Sequence, residues 1–273
     1  MPAIIKSTPE PSLGIVITGG TAGLGYSLAS AFLSAGDRVV ICGRNPERLQ
    51  QAHNSLAQQG EVYAMRCDVS DPTDCRDLAE FAVGRLKTVD RWINNAGTAG
   101  EMKRPLWDLN AHDILQTSTT NLSGTLLQCA EAVKLMDRQP PSSKAVYHIF
   151  NMGFSFIGAA LSRTSVPHKA SKRGVAEVTH FLAREIKEAG KTSIGVHELS
   201  PGLVFTDLLL RDASPQAIKL FKVLAEPPDK VAARLVPIIR SIAGSNHHIR
   251  YQPLLMTFLK MVYGAPQLIG KKM

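Results

Sequence analysis

A chain of 273 residues, 44% of them hydrophobic, is long and apolar enough to bury the core of one large α/β domain without splitting. Its four cysteines, Cys42, Cys67, Cys75 and Cys129, are scattered. That spacing excludes a close-set zinc cluster, so no metal is expected, and with no secretory leader at the head it argues for a reducing compartment, cytoplasmic or plastid stroma, over a disulfide framework. The net charge of +8 gathers towards the C-terminal end, where Lys230, Arg234, Arg240, Arg250, Lys260, Lys271 and Lys272 follow Asp229 with no further acid. A solvated basic edge would produce the same pattern, but the charge suits a phosphorylated cofactor or peripheral contact with an anionic membrane better than nucleic acid. No apolar run reaches membrane-spanning length, so a soluble protein is expected.

The first element is a strand, Gly14 to Thr18, leading into Thr18-Gly19-Gly20-Thr21-Ala22-Gly23-Leu24-Gly25 and then an apolar helix from about Gly25 to Ala35. Strand, glycine turn and helix start together make an anion site, because unpaired N–H groups and the positive end of the helix dipole meet where glycines admit close approach. A second buried strand, Val39 to Cys42, ends at Gly43-Arg44-Asn45. Nucleotide-binding folds of this kind place an acid there for the ribose 2′-hydroxyl; here the acid is absent and Arg44 is present, which points to NADP(H). The plainer alternative is a solvated loop arginine before the helix at Pro46.

A third strand, Glu61 to Cys67, ends at Asp68-Val69, before a helix capped by Ser70 or Asp71 with Pro72 in its first turn. The fourth, Arg91 to Asn94, runs into Asn95-Ala96-Gly97, and a long helix, Ala111 to Met136, carries Asn121. After Pro140-Pro141 a fifth strand, Ala145 to Phe150, leads to Asn151 and Ser155. A helix over Ala170 to Ala189 shows an apolar stripe of Val175, Val178, Phe181, Leu182 and Ile186, and Lys172 shares a face with His168 four residues earlier. A sixth strand, Ser193 to Leu199, precedes Pro201-Gly202 and Thr206, followed by helices over Asp207 to Leu224 and Asp229 to Ile242. The alternation of strand and helix predicts a parallel sheet covered by helices on both faces, with ligand at the C-terminal strand ends.

Four segments in order, the T-G-x-x-x-G-x-G turn, Asn94-Asn95-Ala96-Gly97, Ser171-Lys172 and Pro201-Gly202 with Thr206, resemble the short-chain dehydrogenase/reductase family. The resemblance implies a single Rossmann-like doubly wound α/β domain over residues 1–273, with 206–273 as substrate roof and C-terminal segment. It further implies a cofactor held by Thr18, Gly19, Gly20, Thr21, Gly23, Leu24, Gly25, Arg44, Asn45, Asp68, Val69, Asn95, Ala96, Gly97, Lys172, Pro201, Gly202 and Thr206. Asp68 would serve the adenine and Pro201 to Thr206 the nicotinamide; a loop-capping acid is the alternative for Asp68. Catalysis would fall to Asn121 through a water relay, Ser155, His168 and Lys172, though an asparagine satisfied by backbone is the ordinary alternative for Asn121. The chain departs from the family at two points: His168 stands where members carry tyrosine, and Phe154 stands in the usual serine slot, with Ser155 one place later. The family also commonly pairs through its two long helices, which implies a homodimer or homotetramer.

Three passages, His148 to Met152, Val196-His197 with Ser200 to Leu210, and Ala232 to Pro237, resemble the chlorophyll b reductases within that family. That resemblance implies reduction of the formyl group of a tetrapyrrole, or of another bulky apolar carbonyl substrate, by NADPH. A nucleotide- or pigment-binding regulatory protein, or a non-redox acid–base enzyme using His168, are the alternatives. Leu208, Leu209, Leu210, Phe221 and Leu224 recur at helical spacing and are expected to roof the substrate, some of them serving the core.

Overall fold

Ile15, Val16 and Ile17 have no exposed surface in strand β1 (Gly14–Thr18), as a strand covered on both faces requires. The computed structural model describes residues 11–101, 105–153, 164–211 and 213–251. Among them six more strands follow: β2 (Arg38–Gly43), β3 (Val62–Arg66), β4 (Arg91–Asn94), β5 (Tyr147–Met152), β6 (Ile194–Ser200) and β7 (His248–Arg250). They form one parallel sheet in the order β3-β2-β1-β4-β5-β6-β7. The chain is thus a Rossmann-like α/β fold, and its strand order reverses between β1 and β4, where such sheets open a crevice at their C-terminal ends.

Helices cover both faces. On one, Leu28 and Phe32 of α1 (Gly23–Ser34) pack with Val231 and Leu235 of α9 (Pro228–Ser241). On the other, Leu78 of α3 (Pro72–Leu86), Leu135 of α5 (Gly124–Asp137) and Ile186 of α6 (Val166–Glu188) meet Val16, Val40 and Trp92. Burying each large side chain contributes about 1.5–3 kcal/mol, so the two covered faces, rather than helix propensity, fix the layers. The remaining helices are α2 (Pro46–Leu56), α4 (Ala111–Ser118), α7 (Asp207–Leu210) and α8 (Pro215–Leu224). None of the described helices is long and apolar enough to cross a membrane.

Several boundaries differ from the sequence reading. The helix expected from Ala111 to Met136 is interrupted by a π-turn over Thr119–Ser123, which carries Asn121. Helix α6 begins at Val166, four residues before the expected Ala170, because Pro167 is tolerated in a first turn. The helix expected over Asp207 to Leu224 is two, since Pro215 can open α8 but cannot continue α7. Phe181 leaves the expected buried stripe of α6 and is 59% exposed, while Val175 and Ile186 are buried. Strand β7, unforeseen, has only Ile249 inward among its three residues. Lys260, Lys271 and Lys272 lie outside the described residues.

Candidate active site

The turn after β1 is shaped for something to lie against it. Gly19 and Gly23 take φ values of +67° and +55°, which side chains rarely adopt. Helix α1 starts at Gly23 behind Ala22, which offers no side-chain cap, and has no acid in its first turn, so its leading N–H groups border the crevice without a competing carboxylate. A Cβ on Gly25 would collide with the Gly19 carbonyl and the Asn95 amide, which explains why this turn ends in glycine. Thr18 braces the facing loop: its Oγ1 accepts from the N–H groups of Asn95 (3.1 Å) and Ala96 (3.0 Å). Asn95 in turn donates to the carbonyls of Thr18 (3.0 Å) and Gly19 (3.1 Å).

These segments border a cavity of about 460 Å³, within the range of small-molecule sites. Gly19, Thr21, Gly23, Leu24, Gly25, Arg44, Asn45, Val69, Asn95, Ala96, Gly97, His168, Lys172, Pro201, Gly202 and Thr206 all line it, as expected for the site. Four expected residues do not line it. Thr18 is buried beneath the turn, and Gly20 backs onto Ile41, whose side chain would clash with a Cβ at 2.7 Å. Asp68 accepts from the backbone N–H (3.0 Å) and hydroxyl (2.6 Å) of Ser70. Burial opposes its ionisation, but those bonds and the charges of Arg44 and Arg66 prevail and hold the carboxyl below its ordinary range. Asn121 is the fourth. Ser155 lies outside the described residues.

At the end of β2, Asn45 caps α2 by accepting from the Arg48 N–H at 2.8 Å. That cap sets Arg48 one turn after Arg44, and both line the cavity. Arg48 was legible only as a second basic residue at helical spacing. Arg211 and Thr164 line the cavity too, and neither carries a motif that would single it out.

The floor is a buried polar network centred on Thr98, which the sequence reading missed because its backbone, not its side chain, acts. Asn121 Oδ1 accepts from the Thr98 N–H at 2.8 Å, and its Nδ2 donates to the Thr98 carbonyl (2.9 Å) and to Ser171 Oγ (3.0 Å). Asn121 sits within the π-turn and is buried; such turns are frequent at functional sites. His168 Nδ1 lies 2.8 Å from the same Thr98 carbonyl. One turn on, Lys172 Nζ donates to the Met152 carbonyl at 3.1 Å, and burial lowers its pKa to about 8. Gly97 leaves room for that ammonium, since a Cβ there would stand 3.5 Å from Nζ and 3.1 Å from Asn121 Oδ1.

The roof divides by function. Leu208 and Leu209 line the cavity, as do Leu203 and Val204, whereas Phe221 and Leu224 are buried in the core. The apolar run after Thr206 thus gives part of itself to the cavity wall and part to anchoring α8.

A family model for short chain dehydrogenases matches residues 14–216. The chain is 40% identical over 239 residues to the Arabidopsis thaliana protein named chlorophyll(ide) b reductase NOL, chloroplastic, covering 86% of this chain and 68% of that one. To the protein of the same name from Oryza sativa subsp. japonica it is 39% identical over 263 residues, covering 95% and 74%. Among solved structures, a short chain dehydrogenase/reductase from Burkholderia phymatum in complex with NAD matches with a TM-score of 0.73 at 22% identity, over 98% of both chains. A 7α-hydroxysteroid dehydrogenase complexed with NADH and 7-oxo glycochenodeoxycholic acid matches with a TM-score of 0.71 at 22% identity, over 86% and 91%. At that identity the two structures speak for the fold alone.

Proposed function

The chain belongs to the short chain dehydrogenase family, and from that premise we propose that it is an NADP(H)-dependent oxidoreductase reducing the formyl group of a tetrapyrrole or similar bulky apolar substrate. One observation carries this reading: a single cavity joins an uncapped helix N-terminus, the Arg44–Arg48 pair, the His168–Lys172 face and the leucines of the roof. The two named relatives near 40% identity supply the substrate class.

The nicotinamide cofactor, when bound, supplies the hydride chemistry; the protein binds, orients and manages a proton. The turn from Gly19 to Gly25 and the start of α1 would hold the pyrophosphate. Arg44 would take the 2′-phosphate, and Asp68 with Val69 would meet the adenine. Asn95 to Gly97 would border its ribose, and Pro201, Gly202 and Thr206 the nicotinamide. Asn121 acts by positioning, because its side chain fixes the Thr98 backbone and Ser171. His168 and Lys172 would stand at the substrate oxygen and nicotinamide ribose. Chlorophyllide b and NADPH incubated with the protein should give NADPH oxidation with appearance of the hydroxymethyl pigment. Binding of both without turnover would favour the second reading, a nucleotide- or pigment-binding protein, which rests on histidine standing at position 168. Conversion of the pigment without cofactor would favour acid–base work by His168.

Cofactor choice should follow Arg44. A charge-assisted phosphate contact contributes about 1.5–3 kcal/mol, so Arg44→Ala is expected to weaken NADPH roughly tenfold to a hundredfold and leave NADH unchanged. Calorimetry giving equal losses for both nucleotides would remove Arg44 from the phosphate site.

Assembly should use the long helices. Leu115 of α4 is 65% exposed, and Leu126 of α5 with Val166 and Phe181 of α6 are exposed as well. Large apolar side chains left open on these three helices suit contact with a second copy. Light scattering at micromolar concentration should give a dimer or tetramer, and Phe181→Glu should shift it towards monomer; a monomeric wild type would refute the proposal. The four cysteines are free and buried, in keeping with a reducing compartment such as cytoplasm or plastid stroma.

A further inference from the structure

The cavity wall carries a cation that the proposed cofactor contacts leave unused. Arg44 and Arg48 stand at the end of β2 and in the first turn of α2, on the side given to the phosphates, and Lys172 donates to the Met152 carbonyl at 3.1 Å. Arg211 comes instead from the segment after β6, directly behind α7, whose Leu208 and Leu209 line the cavity with it. Its backbone N–H closes one turn onto the Asp207 carbonyl at 2.9 Å, which ties its position to those leucines. Its guanidinium has no ion pair and no hydrogen bond to the described residues. Asp207, the one acid among the described lining residues, lies a turn back and forms no ion pair with it. Arg211 is exposed as well as lining, so it stands at the cavity rim.

Pockets of this kind take affinity from apolar burial and orientation from a few polar groups at set places. A guanidinium at the end of an apolar wall is such a group, and its planar fork matches a carboxylate with two parallel charge-assisted bonds. A tetrapyrrole acid presents the complementary pair of features, a flat apolar macrocycle and a propionate at its edge. We infer that Arg211 is a specificity residue of the substrate cavity, receiving a carboxylate at the edge of the ligand, so that the site takes the pigment as the free acid in preference to its ester. The inference rests on the proposed substrate and adds to it a choice between two forms. An ester keeps the carbonyl oxygen as a neutral acceptor but loses the charge and one arm of the paired contact. The name shared by the two relatives near 40% identity, chlorophyll(ide) b reductase, spans both forms, so the choice comes from Arg211.

The test compares chlorophyllide b with its propionate methyl ester, which differ by one methyl group and one charge. By calorimetry at low ionic strength the wild type should bind the acid roughly tenfold more tightly than the ester, the low end for a charge-assisted contact because Arg211 is exposed. Added salt should shrink the difference. Arg211→Gln, at an exposed position that the fold tolerates, should bring the acid down to the affinity of the ester, and Arg211→Lys should restore part of the preference. Equal affinities of acid and ester for the wild type would overturn the inference. A preference that survives Arg211→Gln would assign the carboxylate to another cation and overturn it too. NADPH binding, measured alongside, separates the two anions available to this arginine: Arg211→Gln that weakens NADPH and leaves the acid preference intact would give the guanidinium to a cofactor phosphate. If neither pigment binds, the substrate reading fails and carries this inference with it; if both bind equally, the inference fails alone.

Discussion

His168→Phe is expected to lower turnover by about 10²–10⁴-fold, the range general acid–base groups supply, while NADPH affinity stays within a few-fold of wild type. The imidazole lines the cavity but borders the floor, away from the glycine turn and the two arginines that would hold the phosphates. The phenyl ring fills a similar volume and removes both nitrogens. It also removes the ring nitrogen 2.8 Å from the Thr98 carbonyl, which keeps its bond from Asn121 at 2.9 Å, so the fold should lose only about 1 kcal/mol. Proton supply sets the pH dependence. A histidine is a weaker proton source for a nascent alkoxide than the tyrosine usual here, so carbonyl reduction by the wild type should be slow near neutrality and rise towards lower pH. His168→Tyr returns a hydroxyl donor and should flatten that rise. Steady-state rates across pH, with calorimetry for cofactor affinity, provide the measurement. Unchanged turnover in His168→Phe would remove the residue from the mechanism.

The glycine-turn side of the cavity was legible because its geometry is written in local sequence: glycines where the backbone turns at positive φ, and Arg44 at the end of β2, all of which line the cavity. The sheet was legible for a related reason, since strands buried on both faces read as apolar runs such as Ile15-Val16-Ile17. Residues that act through tertiary context were not. Thr98 contributes only backbone groups, and a carbonyl has no signature in a sequence. Asn121 was picked out by its place in the chain, but the π-turn that spends its amide on Thr98 and Ser171 shows no local marker in Thr119–Ser123. Asp68 matched its motif, yet its carboxylate serves Ser70, a local bond that sequence cannot weigh against a distant ligand. Phe181 shows the limit of periodicity, which reports an apolar face without saying whether this chain or another copy covers it.

Lys172→Met should separate function from stability in the opposite sense to most substitutions: turnover lost, fold strengthened at neutral pH. Burial drives the pKa of this lysine from 10.5 down to about 8, so at pH 7 the folded protein carries an ammonium in a site that disfavours it. The displacement corresponds to about 3 kcal/mol of destabilisation of the charged native form relative to the neutral one. Methionine keeps most of the apolar stem but gives up the bond from Nζ to the Met152 carbonyl, a loss of about 1–2 kcal/mol. The net expectation is a gain of about 1–2 kcal/mol, or a few degrees in melting temperature for a chain of this size. The sign across pH is diagnostic. Because the folded pKa lies below the unfolded one, the stability this group contributes is fully present only above about 10.5 and is lost as pH falls through about 8. Wild-type stability should therefore climb between those values relative to Lys172→Met, and the two curves should cross, the wild type ending the more stable at the alkaline end by about the 1–2 kcal/mol of the bond from Nζ to the Met152 carbonyl. Thermal melts of both proteins from pH 7 to 10 would show it. A variant less stable than wild type at pH 7, with a parallel pH profile, would mean that the ammonium is well solvated where it stands and that its retention needs no catalytic explanation.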